Sequence, residues 1–234
     1  MSLASTAIAE MMCDAGYQWI AIDLEHSPTT LREAEALIQI IDAKGRTPLV
    51  RLSSNDAVQI KRVMDSGAHG VIVPMVTSQT DVDAAAQAMH YPPRGTRGVG
   101  LGRAQAYGEA FDAYRSWLAE SAVLIAQIEH VDALDNLDAI FSHPALDAFF
   151  IGPYDLTASM GIAGQFDAEQ YKDALERIRE AGQRHGLCAG IHVVEPNPAE
   201  LQARIGDGYR FVAYSVDFRM IAHACKLGVQ AAND

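Results

Sequence analysis

Two acids stand where an apolar core would not place them. Glu129 closes the run Val123-Leu124-Ile125-Ala126-Gln127-Ile128-Glu129, and Asp155 follows Phe149-Phe150-Ile151-Gly152-Pro153-Tyr154. Each comes after a short apolar stretch that reads as a buried parallel strand. A carboxylate at the C-terminal mouth of such a strand is well placed to hold a hard divalent cation, which takes oxygen ligands. Two carboxylates leave most of an octahedral shell to water and a chelating oxo-acid. No His–Cys cluster accompanies them, so the expected ion is Mg²⁺ or Mn²⁺, with Co²⁺ as a further option. An ion pair with a neighbouring Arg is the simpler account of one such acid; two of them, each after a strand pattern, favour the cation. His192, at the end of a later strand, is either an added ligand or a polar residue lining the mouth.

Three other segments carry chemistry. Asp23-Leu24-Glu25-His26 ends an earlier strand, and His26 is a general base or acid working near neutrality. Asp23 is one candidate to orient its ring, and Asp65 is another; a solvated loop histidine is the alternative. Arg51 sits in Val50-Arg51-Leu52, where a charge is costly unless it is used. Stabilising an enolate or a bound oxo group would use it, and an ion pair with Asp23 is the competing account. Gly152-Pro153-Tyr154-Asp155-Leu156 reads as a strand-to-helix turn. There the amides of Tyr154 and Asp155 could receive a carboxylate, while Pro153 has no amide to offer. An ordinary helix start explains the same residues. The four lysines, Lys44, Lys61, Lys172 and Lys226, all lie in helical or turn stretches. No Schiff-base lysine is therefore expected, and a cation has to act as the electron sink.

These residues need a scaffold that brings several strand ends to one mouth. Apolar runs at Trp19–Glu25, Pro48–Leu52, Gly70–Val76, Val123–Glu129, Ala148–Gly152, Cys188–Val194 and Phe211–Asp217 alternate with helical patterns. Asn55 is positioned to cap a helix with Ala57, Ile60, Met64 and Gly67 on one face. Ser78–His90 is helix-like. Ala168–His185 carries Tyr171, Leu175, Ile178 and Gly182 in register and stops at Gly186. Pro198 opens another helix, and Phe218–Leu227 is a third. Alternating strand and helix implies a parallel sheet with helices outside. The expected fold is α/β, a single (β/α)8 TIM barrel over residues 1–234 with C-terminal helices. Its first strand is short or incomplete, because only Met1 to Ser5 are available for it. An open doubly wound sheet is the alternative, but no Gly-rich turn follows the first strand. Along the strands, Ala21, Asp23 and Glu25 share one face, as do Gln127 and Glu129, and these polar faces should turn into the barrel.

Bulk composition excludes several other functions. Thirty acids against 18 bases give a formal charge of -12, which leaves no basic stripe for nucleic acid. No apolar run approaches the ~20 residues of a membrane helix, and the first residues lack a secretory pattern. Cys13, Cys188 and Cys225 are too scattered for a disulfide framework or a zinc site, so reduced thiols in a cytoplasmic protein are expected.

Taken in order, these segments resemble the HpcH/HpaI aldolase family, the metal-dependent (class II) pyruvate aldolases of 4-hydroxy-2-oxoheptanedioate aldolase type. The resemblance rests on Asp23-Leu24-Glu25-His26, Val50-Arg51-Leu52, the run Asp65 to Pro74, Tyr91-Pro92-Pro93-Arg94-Gly95-Thr96-Arg97-Gly98, Gln127-Ile128-Glu129 and Ile151 to Leu156. It implies a barrel of the phosphoenolpyruvate/pyruvate-binding superfamily and a homohexamer built as a trimer of dimers. It further implies that Glu129 and Asp155 are the metal ligands, His26 the catalytic histidine and Arg51 the enolate-stabilising arginine. Asp23 and Asp65 match the acids that orient the histidine, the second reaching across a subunit interface. Gln127 and Gly152, Pro153 and Tyr154 match positions that hold pyruvate. The implied reaction is reversible cleavage of a 4-hydroxy-2-oxo acid, such as 4-hydroxy-2-oxoheptanedioate or a 2-dehydro-3-deoxy sugar acid, into pyruvate and an aldehyde. The rivals are a citrate-lyase-type carbon–carbon lyase acting on an acyl-CoA thioester, and a non-catalytic oxo-acid-binding barrel. Arg94, Arg97 and Arg103 are available for a second carboxylate, for solvent or for a subunit contact.

Overall fold

The structure, a computed structural model, describes residues 1–233. Seven strands form one parallel sheet in sequential order: β1 (Trp19–Asp23), β2 (Thr47–Arg51), β3 (Gly70–Val73), β4 (Val123–Ile128), β5 (Ala148–Ile151), β6 (Cys188–Val193) and β7 (Phe211–Tyr214). Helices α1 (Thr6–Asp14), α2 (Leu31–Ala43), α3 (Ala57–Asp65), α4 (Gln79–Met89), α5 (Phe111–Glu120), α6 (Leu137–Phe141), α7 (Pro153–Ser159), α8 (Glu169–Arg184), α9 (Pro198–Gly206) and α10 (Asp217–Ala231) fill the connections. Every expected strand is present. None of the expected C-terminal ends is kept: each ladder stops one to three residues short of it. Glu25, Leu52, Val76, Glu129, Gly152 and Val194 lie beyond the last paired residue, and Asp217 opens α10.

Alternation along the strands sorts side chains into two apolar layers. Ile20, Ile22, Val50, Leu124, Ile128, Phe149 and Ile151 pack outward against the helices. Leu49, Ile72, Ile125, Ala148 and Phe150 form a smaller inner cluster, joined by Trp19, Ala21, Phe211 and Ala213. Helix α8 carries the expected face, burying Tyr171, Ile178 and Gly182. At Gly182 a Cβ would meet the Phe149 ring at 2.3 Å, so glycine lets this helix lie close on β5. The cap of α3 is Asp56 rather than Asn55: its carboxylate accepts the Gln59 amide at 2.7 Å, while Asn55 reaches the Asp81 carbonyl.

The closed eight-stranded barrel is not what the described residues form. They curl into an open seven-stranded sheet, and β1 and β7 share no ladder. The segment Met1 to Ser5 contributes one residue to pairing. Met1 donates to the Ala21 carbonyl at 2.6 Å and accepts the Asp23 amide at 3.0 Å, in parallel sense. Ser2 and Leu3 then turn away, their amides on the Asp217 carboxylate at 3.0 and 2.8 Å, and Ser5 already caps α1. Trp19 stacks on Phe211 at 4.2 Å, so rings rather than backbone bridge the seam from inside. Outside it lies a cavity of about 490 Å³ lined in part by Met12, Trp19, Leu201, Ile205 and Val212. Among the described residues no helix is long and apolar enough to cross a membrane.

Candidate active site at the sheet mouth

The register of the sheet assembles the mouth. Asp23 pairs with Arg51 across β1 and β2, and Ile128 pairs with Ile151 across β4 and β5. Glu129 is thus one residue past β4, and Asp155 lies in the first turn of α7, four residues past the neighbouring β5. Both acids therefore open on the same end of the sheet.

Glu129 is buried and tightly held. Its Oε1 accepts the Met75 amide at 2.8 Å, and its Oε2 accepts from the Gln127 side-chain amide. Met75 has a left-handed backbone (φ 54°), an uncommon conformation for a side-chain-bearing residue, and its amide faces Glu129. Gly152 makes room on the other side: a Cβ there would stand 2.6 Å from Glu129 Oε2. Burial pushes the Glu129 carboxyl up to about 7, against its two hydrogen bonds and with help from the charges of Glu25 and Asp155. A buried acid that is hard to ionise is one a cation would stabilise.

Arg51 is clamped by Asp23, whose Oδ1 accepts from Nε at 2.9 Å and whose Oδ2 accepts from Nη2 at 2.7 Å. Burial works against the Asp23 charge, but the Arg51 hydrogen bonds and charge, with the amides of His26 and Glu25, outweigh it and hold the carboxyl at about 2. The ion pair weighed for Arg51 is therefore present, and it uses Nε and Nη2 but not Nη1. Glu25 Oε2 stands 3.3 Å from that nitrogen. Sequence reading placed Glu25 on the Asp23 face and gave it no role; that period-two spacing was the available signal.

The remaining candidates divide. His26 reaches the mouth with an exposed ring, its amide on Asp23 Oδ1 at 3.2 Å. Tyr154 is half-exposed, edge-on to Phe166 at 4.9 Å. The Tyr154 and Asp155 amides belong to the first turn of α7, where the helix supplies no acceptor. Gln127 spends its amide nitrogen on Glu129, and its Oε1 is buried with no partner. His192 lines a small chamber of about 70 Å³ under the mouth with Asp23, Arg51 and Phe150. Its Nε2 lies 3.3 Å from the Ser215 carbonyl, and burial lowers it to about 4, so it is an inward-facing neutral ring.

Asp65 does not join this group. It ends α3, which returns from the mouth to the opposite end of the sheet, and its Oδ1 accepts from buried Arg97 at 2.6 Å. Within one chain it cannot orient His26. Arg97 is further held by the Tyr114 hydroxyl, and Arg103 pairs with Asp42 at 2.6 Å. Arg94 bonds the Ala119 carbonyl. None of these three arginines lines the mouth.

The oxygen-only donor set at Glu129 and Asp155 fits a hard divalent cation. Two buried oxygens at the mouth accept no hydrogen bond: Gln127 Oε1, and Glu25 Oε2, whose one close cationic neighbour on the sheet is Arg51 Nη1. Among the described residues no three His, Cys, Asp or Glu side chains are grouped to hold a metal ion.

Similarity to known proteins agrees with this geometry. The sequence model of the HpcH/HpaI aldolase/citrate lyase family matches residues 1–224. A hydroxypyruvate/pyruvate aldolase of Sagittula stellata is 37% identical over 224 residues, covering 95% of this chain and 87% of that protein. A 4-hydroxy-2-oxo-heptane-1,7-dioate aldolase of Shigella sonnei is 36% identical over 232 residues, covering 97% and 86%. The crystal structure of an HpcH/HpaI aldolase/citrate lyase family protein from Burkholderia cenocepacia superposes with a TM-score of 0.94 at 29% identity, covering 100% of this chain and 93% of that one. With nearly the whole chain matched and its acids gathered at one mouth, this protein belongs to the HpcH/HpaI aldolase/citrate lyase family.

Proposed function

We propose that the chain is a divalent-metal-dependent aldolase that reversibly cleaves a 4-hydroxy-2-oxo acid into pyruvate and an aldehyde. The observation that carries this reading is the convergence of Glu129 and Asp155 with an Arg51 whose fork is locked by Asp23. A Mg²⁺ or Mn²⁺ ion held by Glu129 and Asp155 would supply Lewis acidity to the keto acid. The rest falls to the chain. The Tyr154 and Asp155 amides in the first turn of α7 receive the substrate carboxylate, where the helix N-terminus favours a negative charge. His26 takes the proton of the 4-hydroxyl group. As the C3–C4 bond breaks, the electron pair moves into the C2 carbonyl, and Arg51 Nη1 faces the developing enolate oxygen. The pyruvate enolate then takes that proton at C3, which gives pyruvate and returns His26 to its neutral form; in the synthetic direction His26 takes a proton from the pyruvate methyl group and gives it to the new hydroxyl. His192 and Phe150 line the chamber beside Asp23 and Arg51.

The chain also self-associates in this reading, as a trimer of dimers. Support comes from α10, which buries only Asp217 and exposes Phe218, Ile221, Leu227 and Val229. Assembly also gives Asp65 its one route to a histidine, on another copy.

The test is pyruvate release from 4-hydroxy-2-oxo acids of different chain length, before and after chelation. Release should stop with chelator and return with Mn²⁺ or Mg²⁺. Substrate binding with no ion-restored release would instead favour a non-catalytic oxo-acid-binding barrel. Light scattering of the intact chain, beside Ile221→Glu and Leu227→Glu variants, tests the assembly.

A further inference from the structure

The register puts three residues in one row across the mouth. Ile128 pairs with Ile151 and Ile151 with Ile191, so Glu129, Gly152 and His192 follow at one level on β4, β5 and β6. Ile128, Ile151 and Ile191 pack against the helices, so the next residue on each strand faces inward. Glu129 and His192 are thus two strands apart, about 9–10 Å between backbones, and the residue between them is a glycine. A molecule bound beside Glu129 and over Gly152 lies against the His192 ring.

That ring has one nitrogen to offer. Nε2 lies 3.3 Å from the Ser215 carbonyl, which can only accept, so Nε2 carries the ring proton. Burial keeps the ring neutral. Nδ1 is therefore an acceptor, and its neighbours bring it no donor. The Ser2 hydroxyl donates to Asp23, the Ser215 hydroxyl to the Val194 carbonyl, and Arg51 Nε and Nη2 to Asp23. The chamber beside His192 is walled in part by Ile72, Phe150 and Ala213 and measures about 70 Å³. At roughly 30 Å³ per water in the liquid, a hydroxyl fits there and an extended chain does not.

We infer that His192 is a specificity-determining residue: its Nδ1 accepts a hydrogen bond from a hydroxyl on C3 of the 2-oxo acid, so the nucleophile this site favours is a 3-hydroxy-2-oxo acid rather than its alkyl counterpart. The inference rests on the aldolase reading for the orientation of the acid. C2 of that acid has three substituents. The amides of α7 take the carboxylate, and Arg51 faces the C2 oxygen, which leaves C3 for the His192 side. The new carbon–carbon bond forms perpendicular to the enolate plane. A hydroxyl on C3 lies in that plane, so it stays on His192 while the bond is made. An alkyl group of the same size leaves Nδ1 without a donor.

The experiment compares two acids of one size, 3-hydroxypyruvate and 2-oxobutanoate, which differ by a hydroxyl in place of a methyl group. Their binding to the Mn²⁺-loaded intact chain is measured by titration calorimetry, and their kcat/KM in addition to acetaldehyde by product formation. The unaltered protein should favour 3-hydroxypyruvate by about tenfold in both. His192→Leu should abolish or reverse the preference, and His192→Gln, whose side-chain oxygen is an acceptor, should keep part of it. Loss of the Ser215 contact weakens both acids alike and cancels in the ratio, so a merely structural His192 would leave the ratio unmoved. Equal handling of the two acids by the unaltered protein overturns the inference, and this arm needs no variant. A preference that survives in His192→Leu overturns it too. Weaker Mn²⁺ binding by His192→Leu with no acid present would make His192 a ligand and overturn it as well. A binding preference with no carbon–carbon bond made from pyruvate or from either acid sinks the aldolase reading and leaves the hydroxyl contact standing.

Discussion

Asp23 and Arg51 face each other in register on neighbouring parallel strands, and both carboxylate oxygens of Asp23 grip the Nε–Nη2 edge of the guanidinium, at 2.9 and 2.7 Å. The bidentate grip fixes the plane of the guanidinium and leaves Nη1 outside the fork, 3.3 Å from Glu25 Oε2. Asp23→Asn keeps the shape and loses one arm of the fork. We expect kcat to fall by roughly ten- to a hundredfold with little change in cation affinity, and Arg51→Ala to cost about a hundredfold or more. Steady-state kinetics beside a cation titration check both; an Asp23→Asn enzyme with unchanged kcat would show that the fork does not aim Arg51.

The same pair makes part of the acid stability. Asp23 is held at about 2, below its usual 3.8. The unfolded chain therefore binds this proton first as pH falls. The contribution is fully present above about pH 4 and is lost as pH falls through about 2; it amounts to about 2 kcal/mol. Unfolding free energies from pH 5 to pH 2 should drop more steeply for the unaltered protein than for Asp23→Asn. Parallel curves would refute the assignment.

Glu129 acts in the opposite direction. Burial holds it at about 7 where 4.5 is usual. Between those values the folded form keeps a proton that the unfolded chain has released, so without a divalent cation the stability falls as pH rises through this window. The full effect is about 3 kcal/mol. Glu129→Gln should flatten that slope in thermal melts run with chelator from pH 4.5 to 8. Adding Mn²⁺ should raise the melting temperature of the unaltered protein at pH 8 and leave that of Glu129→Gln unmoved.

Gly152 is where the sheet yields space to Glu129. A Cβ would stand 2.6 Å from Glu129 Oε2 and 3.0 Å from its Cβ. Gly152→Ala must displace that carboxylate, at a cost of about 1–3 kcal/mol. We expect a folded protein by circular dichroism that binds Mn²⁺ at least about tenfold more weakly. Unchanged affinity would mean that Glu129 is not held against Gly152 when the ion binds.

The sequence by itself determined the alternation of strand and helix, the apolar face turned to the helices and the mouth; the inner apolar cluster around Leu49, Ile72 and Phe150 came from the fold. The first three follow from local periodicity: Asp23 and Arg51 had to turn inward because Ile22, Val50 and Leu52 turn out. Motif order also placed Glu129 and Asp155 just after neighbouring strands, so both stand at one end of the sheet whatever its closure. Tertiary structure decided the pairings, because a partner is chosen by three-dimensional distance and by which donors are already spent. It gave Asp23 to Arg51 rather than to the His26 ring, and Asp65 to Arg97. It brought the Met75 amide to Glu129 through a left-handed turn that no local pattern announces. It left β1 and β7 unjoined, because Ser2 and Leu3 find their acceptor on Asp217, more than two hundred residues away in the chain. Periodicity fixes which way a side chain faces; only folding fixes what it meets.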